Sequence, residues 1–528
     1  MIILGLHKDP WHNTGAAIVR DDGEGPRIAY VAEERLDRVK DSRSFPQRSV
    51  QACMQELGVT RIEEIDLVVM DYIRGAFSWR SDHFKTACRQ DVFLREIAPE
   101  RIVLANHHLL HAYAAFCTSP FDEAAVLVVD GRGSDGETQS LFMATSRGME
   151  LIHRSQKIGI GLLYAAVTQA IGFGLLQEGK TMGLAPYGAQ NTDSIFEFGG
   201  QFDGIHTDYG KFCAEGSYDI LVPHRPIKTF NDQARAAWEV QHECERAMLH
   251  LAHHAKTTTH ARNLCLSGGV ALNSVANNKI LRSGLFEDIY INPAASDTGI
   301  ALGAALYGYH GMVGRPRHSF SLSPFLGPSY GALEMGRAIR KFSGFSVVSA
   351  NAFQAAAQLL ANNSILGCFQ GRSEMGPRAL GNRSILMSPL VARNKDVLNA
   401  RVKHRESFRP FAPACLEEYA QDYFVIDRPS PYMLLVPEVR EEKRSVIPAV
   451  THVDGTARLQ TLTRERNGLF YDLVSAFHRH SGVPVLLNTS FNVAGEPIVE
   501  TPEDAIRCFL STQIDALLLG DVLLAKNS

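Results

Sequence analysis

Short apolar runs that end in turns rich in glycine, aspartate or asparagine recur through the first ~310 residues of the chain and alternate with helical stretches. The predicted strands are Ile2–Leu6, Ala124–Val129, Asn263–Leu266 and Asp288–Asn292. This alternation is the pattern of an α/β domain. Because ligands of α/β sheets collect at the carboxyl ends of strands, we expect the chemistry in the turns that follow these runs.

The chain is too long for one ordinary domain. Its 528 residues favour two or more. The segment His318–Tyr330 is rich in Ser, Pro and Gly, and it predicts a linker or a surface crossover. A helical stretch around Gly331–Phe342 and a second α/β segment follow it. We therefore expect two α/β domains, 1–340 and 341–528.

Charge and cysteine content limit the class of protein. The net charge is -4 and the pI is about 6.6, so no nucleic-acid partner is expected. The nine cysteines are scattered without a CxxC pair, which predicts reduced thiols in the cytoplasm. The first residues predict a strand rather than a signal peptide. The most apolar window, Ile158–Leu176, predicts a buried helix with a glycine-rich end and not a membrane span.

Two histidines, His107 and His111, precede a run of small and apolar residues that predicts a helix. Their spacing of four residues places both on one helical face, as two ligands of one metal ion require. A pair of core or surface histidines would give the same pattern. A zinc-protease site is disfavoured, because His108 stands where the HExxH motif has its glutamate.

Two aspartates near strand ends would add oxygen donors to these histidines. Asp130 ends the run AAVLVVD, and Asp297 follows the strand that ends at Asn292. Two imidazoles and two carboxylates form a ligand set that suits iron, manganese or zinc better than calcium or magnesium. The joint pattern therefore predicts a metal site.

Glycine turns follow two of the predicted strands. The candidate nucleotide-binding residues in them are Gly131, Gly133, Gly268, Gly269 and Asn273. Glycines let the backbone approach a phosphate closely, and N–H groups at a helix N-terminus can bind it. An ordinary structural turn is the commoner explanation for either glycine pair taken alone.

The C-terminal half holds an unusually basic group of segments. They are Gly371–Ser384, Val402–Pro413, His452–Arg458 and Leu487–Asn492. A solvated basic face is the usual meaning of such a charge run. Here the basic residues alternate with Gly, Pro and Phe, which do not build an exposed helical face. Rigid turns that carry arginine forks and a lysine charge predict a phosphate-binding site.

The order of these elements resembles the fold shared by actin, sugar kinases and the heat-shock ATPase chaperones. More closely, the chain resembles the branch shared by the tRNA threonylcarbamoyl-transfer proteins and the O-carbamoyltransferases of nodulation-factor and antibiotic biosynthesis. Its C-terminal half resembles the adenylate-forming domain of those O-carbamoyltransferases, which is similar to threonylcarbamoyl-adenylate synthase. The motifs that carry the resemblance are GRSEMGPRALGNRSIL, VKHRESFRPFAP, HVDGTARLQ and LLNTSFN, with AEERLDRVK and EGKTMGLAPYG nearer the start.

The resemblance implies ligands for two sites. In that branch an HxxxH pair and two aspartates bind iron(II) or a similar divalent metal that holds the phosphate of the acyl-adenylate. On this chain the implied metal ligands are His107, His111, Asp130 and Asp297. The C-terminal domain is implied to bind carbamoyl phosphate and ATP, with magnesium accompanying ATP. The implied anion ligands are Arg378, Lys403, Arg409, Arg458 and Ser490, and further candidates are Arg405, Asn488, Lys40 and Lys180.

The implied activity is an O-carbamoyltransferase. Carbamoyl phosphate and ATP would give carbamoyl-adenylate, which would then carbamoylate a hydroxyl of a small-molecule natural product: a glycoside, an antibiotic or another secondary metabolite. His12 is the implied general base, since imidazole titrates near neutrality. The alternative for His12 is a structural histidine beside Trp11. The family usually has His-Asp-Ser at this place, whereas the chain has His12-Asn13-Thr14.

Three other functions remain open from the sequence. They are a subunit of a tRNA threonylcarbamoyltransferase, an ATP-dependent metabolite kinase of the same superfamily, and a binding protein without activity. The acceptor pocket carries no recognisable motif, and its candidate loops are Tyr72–Arg101 and Thr192–Asp232. A homodimer is expected only because dimers are the commonest oligomers.

Overall fold

The structure is a computed structural model that describes residues 1–8, 12–72, 95–213, 223, 225–317, 322–348 and 351–527. Much of the candidate acceptor loop Tyr72–Arg101, part of the loop Thr192–Asp232 and Trp11 lie outside the described residues. The chain divides into two compact units. The first unit comprises Met1–Glu33 and Asp41–Leu322, and the second comprises Glu34–Lys40 and Ser323–Ser528.

The first unit is built from strands and helices in alternation. Its strands are β1 Ile2–His7, β2 Gly15–Asp21, β3 Pro26–Ala32, β4 Leu67–Tyr72, β5 Ile102–Asn106, β6 Glu123–Val129, β7 Gln139–Thr145, β8 Gly148–Ser155, β9 Gln201–Asp203, β10 His206–Asp208, β11 Asn263–Ser267 and β12 Asp288–Ile291. Helix α1 Glu33–Asp37 begins at the last residue of the segment Met1–Glu33 and otherwise belongs to the second unit. The helices of the first unit are α2 Gln47–Leu57, α3 His107–Thr118, α4 Ile160–Ala170, α5 Glu178–Leu184, α6 Phe230–Thr259, α7 Ser274–Arg282 and α8 Ile300–Leu306. All four strands predicted from the sequence are present.

One sheet topology occurs twice in the first unit. The first sheet has the order β3-β2-β1-β4-β5, and the second has the matching order β8-β7-β6-β11-β12. In each sheet the first three strands in sequence are antiparallel neighbours, and the last two continue the sheet in parallel. This repeat confirms the predicted α/β class and agrees with the actin-like fold that the resemblance implied.

Helices α3 and α8 pack tightly against each other, and α8 also covers the first sheet. Glycines allow both approaches. A Cβ atom at Gly303 of α8 would lie 2.0 Å from the carbonyl oxygen of Leu110 in α3, and one at Gly5 of β1 would lie 2.0 Å from that of Ala301. Both distances are far inside van der Waals contact, so only glycine fits there. The packing brings the start of α3 to the carboxyl ends of the parallel strands.

The apolar window Ile158–Leu176 forms the helix α4, which is largely buried and ends before Gly172 at φ +93°. The prediction of a buried helix with a glycine-rich end is therefore confirmed. Among the described residues, no helix combines the length and the apolar character that crossing a membrane requires.

The second unit is centred on an eight-stranded sheet of order β13-β20-β19-β14-β15-β18-β16-β17. Its strands are β13 Phe345–Val348, β14 Leu366–Phe369, β15 Arg383–Met387, β16 Ala412–Leu416, β17 Gln460–Leu462, β18 Val485–Ser490, β19 Ala516–Leu519 and β20 Val522–Lys526. Its helices are α9 Ala332–Arg340, α10 Ala352–Ala361, α11 Asn394–Leu398, α12 Ala420–Tyr423, α13 Glu441–Arg444, α14 Arg464–Ser481 and α15 Pro502–Ser511. Two apolar clusters form its core. Alternate residues of β14 divide between them, which places one cluster on each face of the sheet.

The predicted domains, 1–340 and 341–528, differ from this division by the segments 323–340 and Glu34–Lys40, which both belong to the second unit. Helix α9 lies in that segment and packs against α15 of the second unit. The ring of Tyr330 lies 5.9 Å from that of Phe369 in β14. The Ser-, Pro- and Gly-rich composition around 318–330 predicted a crossover. It did not predict which of the two units α9 would pack into.

Candidate metal centre and anion site

Four side chains of the first unit come together at the strand ends. His107, His111, Asp130 and Asp297 each offer a ligand atom, and these atoms lie within 4.8 Å of one another. Nε2 of His111 is 2.9 Å from Oδ2 of Asp130, and Nε2 of His107 is 3.4 Å from Oδ1 of Asp297. The structure thus brings together the four residues that the sequence singled out for a metal.

Local structure explains the convergence. Asn106 caps α3 by accepting the N–H of Leu109 at 3.1 Å, so the helix begins at His107 and carries His111 one turn later. Asp130 follows the last residue of β6. Asp297 begins the short 3₁₀ turn that leads into α8. The four candidate ligands therefore stand at the end of a strand or within the first two turns of a helical segment.

The outer nitrogens of both histidines are held by other side chains. Nδ1 of His107 lies 3.0 Å from Oδ2 of Asp71, and Nδ1 of His111 lies 3.3 Å from Oγ of Ser267. The second oxygen of Asp71 lies 2.9 Å from Nδ1 of His7. A histidine whose Nδ1–H is bound to a carboxylate or a hydroxyl presents the lone pair of Nε2, as metal-ligating histidines do.

Asp71, His7 and Ser267 were not predicted from the sequence. They stand at the ends of apolar runs, at or beside the final residue of β4, β1 and β11. The strand-end rule that selected Asp130 would also have selected them.

The electrostatics of the four groups suit a cation. Burial lowers the pKa of His107, but the charge of Asp297 and hydrogen bonds with Asp130 and Asp297 outweigh it and raise the pKa well above its usual value. Burial raises the pKa of Asp297, but His107 and His111 hold it well below its usual range. The carboxylates are thus buried as anions and need adjacent positive charge, which a divalent cation would supply. The mixed nitrogen and oxygen donors fit iron(II), manganese or zinc.

His12 lies beside this group. Its Nδ1 is 3.8 Å from Oδ2 of Asp297, and its side chain is 23% exposed. This Nδ1 is buried and has no hydrogen-bond partner among the described residues. The neighbouring Asn13 has φ 61°, a left-handed conformation that asparagine tolerates. His12 is therefore near the ligands and partly open to solvent.

The two glycine turns converge on Asp130. The N–H groups of Gly131 and Gly269 donate to its Oδ1 at 2.7 and 3.2 Å. Gly268 has φ +87°, and a Cβ atom there would lie 2.2 Å from the carbonyl oxygen of Val129. The turns therefore hold Asp130 in place and leave its Oδ2 for the histidines.

The remaining predicted nucleotide-binding residues have structural contacts. The side-chain oxygen of Asn273 accepts the N–H of Ala276 at 3.1 Å and so caps α7. Its amide nitrogen donates to Gln241 at 2.9 Å. A Cβ atom at Gly133 would lie 2.7 Å from Oε1 of Glu137. Both residues shape the turns in which they lie.

Helix α5 carries Glu178, another residue that was not selected as a site residue from the sequence. Burial raises the pKa of Glu178, and the charge of His12 opposes this shift. Lys180, a further candidate site residue, has its Nζ 5.4 Å from the ring centre of Phe173. Lys40 belongs to the second unit and pairs with Glu34 at 2.8 Å.

A cluster of cations occupies the second unit. It comprises Arg378, Lys403, Arg405, Arg409 and Arg458 and is called the cation cluster below. Burial and the charge of Arg409 lower the pKa of Arg378 to about 10 and that of Arg405 to about 9. Burial and the charges of Arg378, Arg405 and Arg409 lower the pKa of Arg458 well below its usual value. A bound anion would relieve this mutual repulsion.

The structure separates the three arginines of the segment Gly371–Ser384. Arg372 donates to the carbonyl of Gly327 at 2.8 Å, and Arg383 donates to that of Gln370 at 2.7 Å. Arg383 is fully buried, and its Nη2 lies 3.5 Å from Oε1 of Glu500. Nε of Arg378, in contrast, is buried without a hydrogen-bond partner among the described residues. Arg378 is therefore the arginine of this segment that belongs to the cation cluster.

A buried carboxylate shapes the turn that carries Arg378. Oε1 of Glu374 accepts the N–H groups of Leu380, Asn382 and Arg383 at 2.8, 2.9 and 3.0 Å. The chain from 374 to 383 is thereby closed into a loop. Sequence analysis did not assign this role to Glu374.

Lys403 and Ser490, both predicted anion ligands, are in contact. Lys403 ends a π-helical turn, a local form frequent at functional sites. Its Nζ donates to the carbonyl of Ser490 at 2.9 Å and to Oδ1 of Asn492 at 2.6 Å. Asn488 is buried and donates to the carbonyl of Ala379 at 3.2 Å, next to Arg378. Lys403 is therefore held rigidly by the end of β18.

Comparison with known families matches both halves of the chain. Residues 78–306 match the family described as "Carbamoyltransferase N-terminus", and residues 357–526 match "Carbamoyltransferase C-terminus". Among solved structures, the fold overlaps in part with HypF of T. kodakarensis. The TM-score is 0.35 at 11% identity, over 61% of this chain and 49% of that one.

Curated relatives extend over the whole chain. The nodulation protein NolNO of Sinorhizobium fredii is 38% identical over 99% of this chain and 80% of its own length. An uncharacterized protein of Synechocystis is 36% identical over 100% of this chain and 97% of its own length. The nodulation protein NolO of Bradyrhizobium diazoefficiens is 40% identical over 80% of this chain and 79% of its own length. The chain therefore belongs to the carbamoyltransferase family and is a carbamoyltransferase.

Proposed function

We propose that this carbamoyltransferase activates carbamoyl phosphate with ATP to give carbamoyl-adenylate, and that it transfers the carbamoyl group to a hydroxyl of a small-molecule acceptor. The cation cluster is the observation that carries the proposal. Carbamoyl phosphate and the triphosphate of ATP are polyanions, and arginine forks bind phosphate oxygens in pairs. The repulsion among half-buried guanidiniums is relieved when such anions bind.

In the first step an oxygen of carbamate attacks the α-phosphorus of ATP, and pyrophosphate leaves. Arg378 and Arg458 would bind the phosphate oxygens, because Nε of each has no partner among the described residues. Lys403 would offset charge from its fixed position beside Ser490. Arg405 and Arg409 complete the positive field, and the ring of Phe411 lies 4.5 Å from the Arg405 guanidinium.

In the second step the acceptor oxygen attacks the carbamoyl carbon, and AMP leaves. His12 would accept the hydroxyl proton, which a base within hydrogen-bond reach can assist by roughly 10²–10⁴-fold. His107, His111, Asp130 and Asp297 would hold iron(II) or a similar divalent metal. When bound, the metal supplies Lewis-acid assistance to the departing phosphate. The turns at Gly131 and Gly268 would bind the nucleotide.

The acceptor is proposed to be an alcohol of a natural product, either a glycoside or another secondary metabolite. The nodulation proteins among the relatives support an acceptor of low molecular weight. The net charge of -4 gives no support to a nucleic-acid acceptor.

An assay of the first step tests the proposed role of the cation cluster. Replacing Arg378 or Arg458 by Ala should abolish the formation of carbamoyl-adenylate from carbamoyl phosphate and ATP, measured by mass spectrometry. The exposed Arg479 in α14 provides a matched control, and Arg479→Ala should leave adenylate formation unchanged. If Arg458→Ala forms carbamoyl-adenylate at the wild-type rate, the cation cluster does not have the proposed role.

A further inference from the structure

A histidine at the edge of the cation cluster is held in one tautomer. Nδ1 of His452 lies 3.1 Å from Oγ1 of Thr456, and that hydroxyl donates to Oδ1 of Asp454 at 2.7 Å. Because the hydroxyl proton is used on Asp454, the Thr456 oxygen accepts the Nδ1–H of His452. Nε2 of His452 therefore carries the lone pair.

This Nε2 atom is unused by the protein. It is buried and has no hydrogen-bond partner among the described residues. The backbone fixes its position, since the N–H of His452 donates to the carbonyl of Thr456 at 2.8 Å and the N–H of Gly455 donates back to that of His452 at 3.0 Å. An unpaired buried acceptor in a rigid turn is costly and calls for an explanation by function.

The surroundings of His452 keep it neutral. Burial lowers its pKa to about 4, Asp454 opposes this, and the charge of Arg458 lowers it further. A neutral imidazole among arginines can accept a proton, which the cations around it cannot. Nε2 of His452 is thus an acceptor without a partner among the described residues, whereas the carboxylate of Glu406 lies 3.7 Å from Nη1 of Arg409.

The proposed first step has a requirement that the cation cluster does not meet. Carbamate, the nucleophile toward ATP, has to be released from carbamoyl phosphate, and its release consumes one water molecule. Water is a poor nucleophile until a base takes its proton. Arginine has no acceptor atom. Burial lowers the pKa of Lys403, but its Nζ donates to oxygens of Ser490 and Asn492 and so has no lone pair directed at water.

Resting on the function proposed above, we propose that His452 is the general base that activates this water. Nε2 takes a proton from water while the water oxygen bonds to phosphorus. The bond between phosphorus and the carbamoyl oxygen breaks, and its electron pair leaves with carbamate. The products are carbamate, inorganic phosphate and a proton held on His452, which returns to solvent. Asp454 and Thr456 orient the ring, as the third group of a catalytic triad orients its base.

Anion binding makes His452 a better base. In the free site, burial and Arg458 hold the imidazole unprotonated. Bound phosphates offset the charge of Arg458, which removes one cause of the lowered pKa of the imidazole and leaves burial, the larger cause, in place.

The first step has two parts, the release of carbamate from carbamoyl phosphate and the reaction of carbamate with ATP. Supplying carbamate directly allows the second part to be assayed alone. In the full-length protein, His452→Gln should lower the enzymatic release of phosphate from carbamoyl phosphate by roughly 10²–10⁴-fold. The KM for carbamoyl phosphate should change little. With ATP and concentrated ammonium carbamate instead, the same variant should form carbamoyl-adenylate at close to the wild-type rate. Thr456→Val, which leaves the ring without its orienting hydroxyl, should show a smaller loss of the same kind.

The exposed His480 in α14 provides the matched control, and His480→Gln should leave both reactions unchanged. Equal loss of adenylate formation from carbamate and from carbamoyl phosphate would overturn the role of His452 as base and leave it an anion ligand or a structural residue. Undiminished phosphate release would overturn it as well. In isotopically labelled water the label should appear in phosphate, and label in carbamate would contradict attack at phosphorus. If the wild type forms no carbamoyl-adenylate from carbamoyl phosphate or from carbamate, the proposed function itself is contradicted, and the role of His452 with it.

Discussion

The carboxylate of Asp71 lies 3.0 Å from Nδ1 of His107 and fixes which nitrogen of that ring faces the candidate metal ligands. His7 holds the other oxygen of the carboxylate at 2.9 Å, so Asp71 is anchored from both sides. Burial raises the pKa of Asp71, but the charges and hydrogen bonds of His7 and His107 outweigh it and keep the pKa below its usual value. Asp71 is therefore an anion that orients a ligand without being one.

Replacing Asp71 by Asn should weaken metal binding by about 10–100-fold, the usual effect of removing an outer carboxylate from a ligating histidine. Titration of the metal-free protein with iron(II) or zinc(II) under anaerobic conditions measures the affinity. Asp66→Asn in the same region, where Asp66 accepts the N–H of Ile2 at 2.7 Å, provides the control. Equal affinities of wild type and Asp71→Asn would contradict the orienting role.

His12→Asn should slow carbamoyl transfer to an alcohol by roughly 10²–10⁴-fold and leave the formation of carbamoyl-adenylate intact. The expected split follows from its position, because Nδ1 of His12 is 3.8 Å from Asp297 in the first unit and the cation cluster belongs to the second. Transfer is measured with any accepted alcohol, and adenylate formation without one. Equal loss of both activities would remove His12 from the role of base.

Glu374→Ala should both destabilise the protein and weaken carbamoyl phosphate binding. Three backbone N–H groups would lose their acceptor, at about 1–3 kcal/mol for each that stays buried and unpaired. Glu374→Gln keeps one carbonyl oxygen and should lose less. Denaturant unfolding and the KM for carbamoyl phosphate check this, with the exposed Glu441→Ala as control. An unchanged KM in a destabilised Glu374→Ala would show that the loop does not position Arg378.

Glu500 should make stability depend on pH. Burial raises its pKa from 4.5 to about 7, although Arg383 and Arg35 oppose the shift. The folded state therefore holds the proton more tightly than the unfolded state does. The stabilisation is complete below pH ~4.5 and is lost as pH rises through ~7, by up to about 3 kcal/mol. Glu500→Gln, which resembles the protonated form, should flatten this slope in unfolding measured from pH 5 to 8. A slope equal to that of the wild type would contradict the assignment.

The metal group was within reach of sequence reasoning, because strand ends and helix starts converge wherever parallel strands share a sheet edge. His107 and His111 needed only helical spacing, and Asp130 needed only its place after an apolar run. The residues that orient these side chains could be predicted only by knowing which strands are neighbours in the sheet. Asp71 lies beside His7 because β4 pairs in parallel with β1, and composition does not encode that pairing.

The cation cluster was predicted as a set but not in detail. Arg372, Arg378 and Arg383 share one glycine-rich segment, and only the fold shows that two of them bind backbone carbonyls. His452 was not selected as a site residue, because a single histidine in a turn forms no recognisable spacing pattern with other residues. Its significance depends on one hydroxyl contact and on an unpaired nitrogen.

The central claim is that the protein itself makes carbamoyl-adenylate. The most direct test mixes the metal-loaded wild-type protein with carbamoyl phosphate and ATP, without any acceptor, and follows the products by mass spectrometry. Our account predicts that carbamoyl-adenylate and pyrophosphate form together, along with inorganic phosphate. Intact ATP, with neither carbamoyl-adenylate nor pyrophosphate formed, would contradict it.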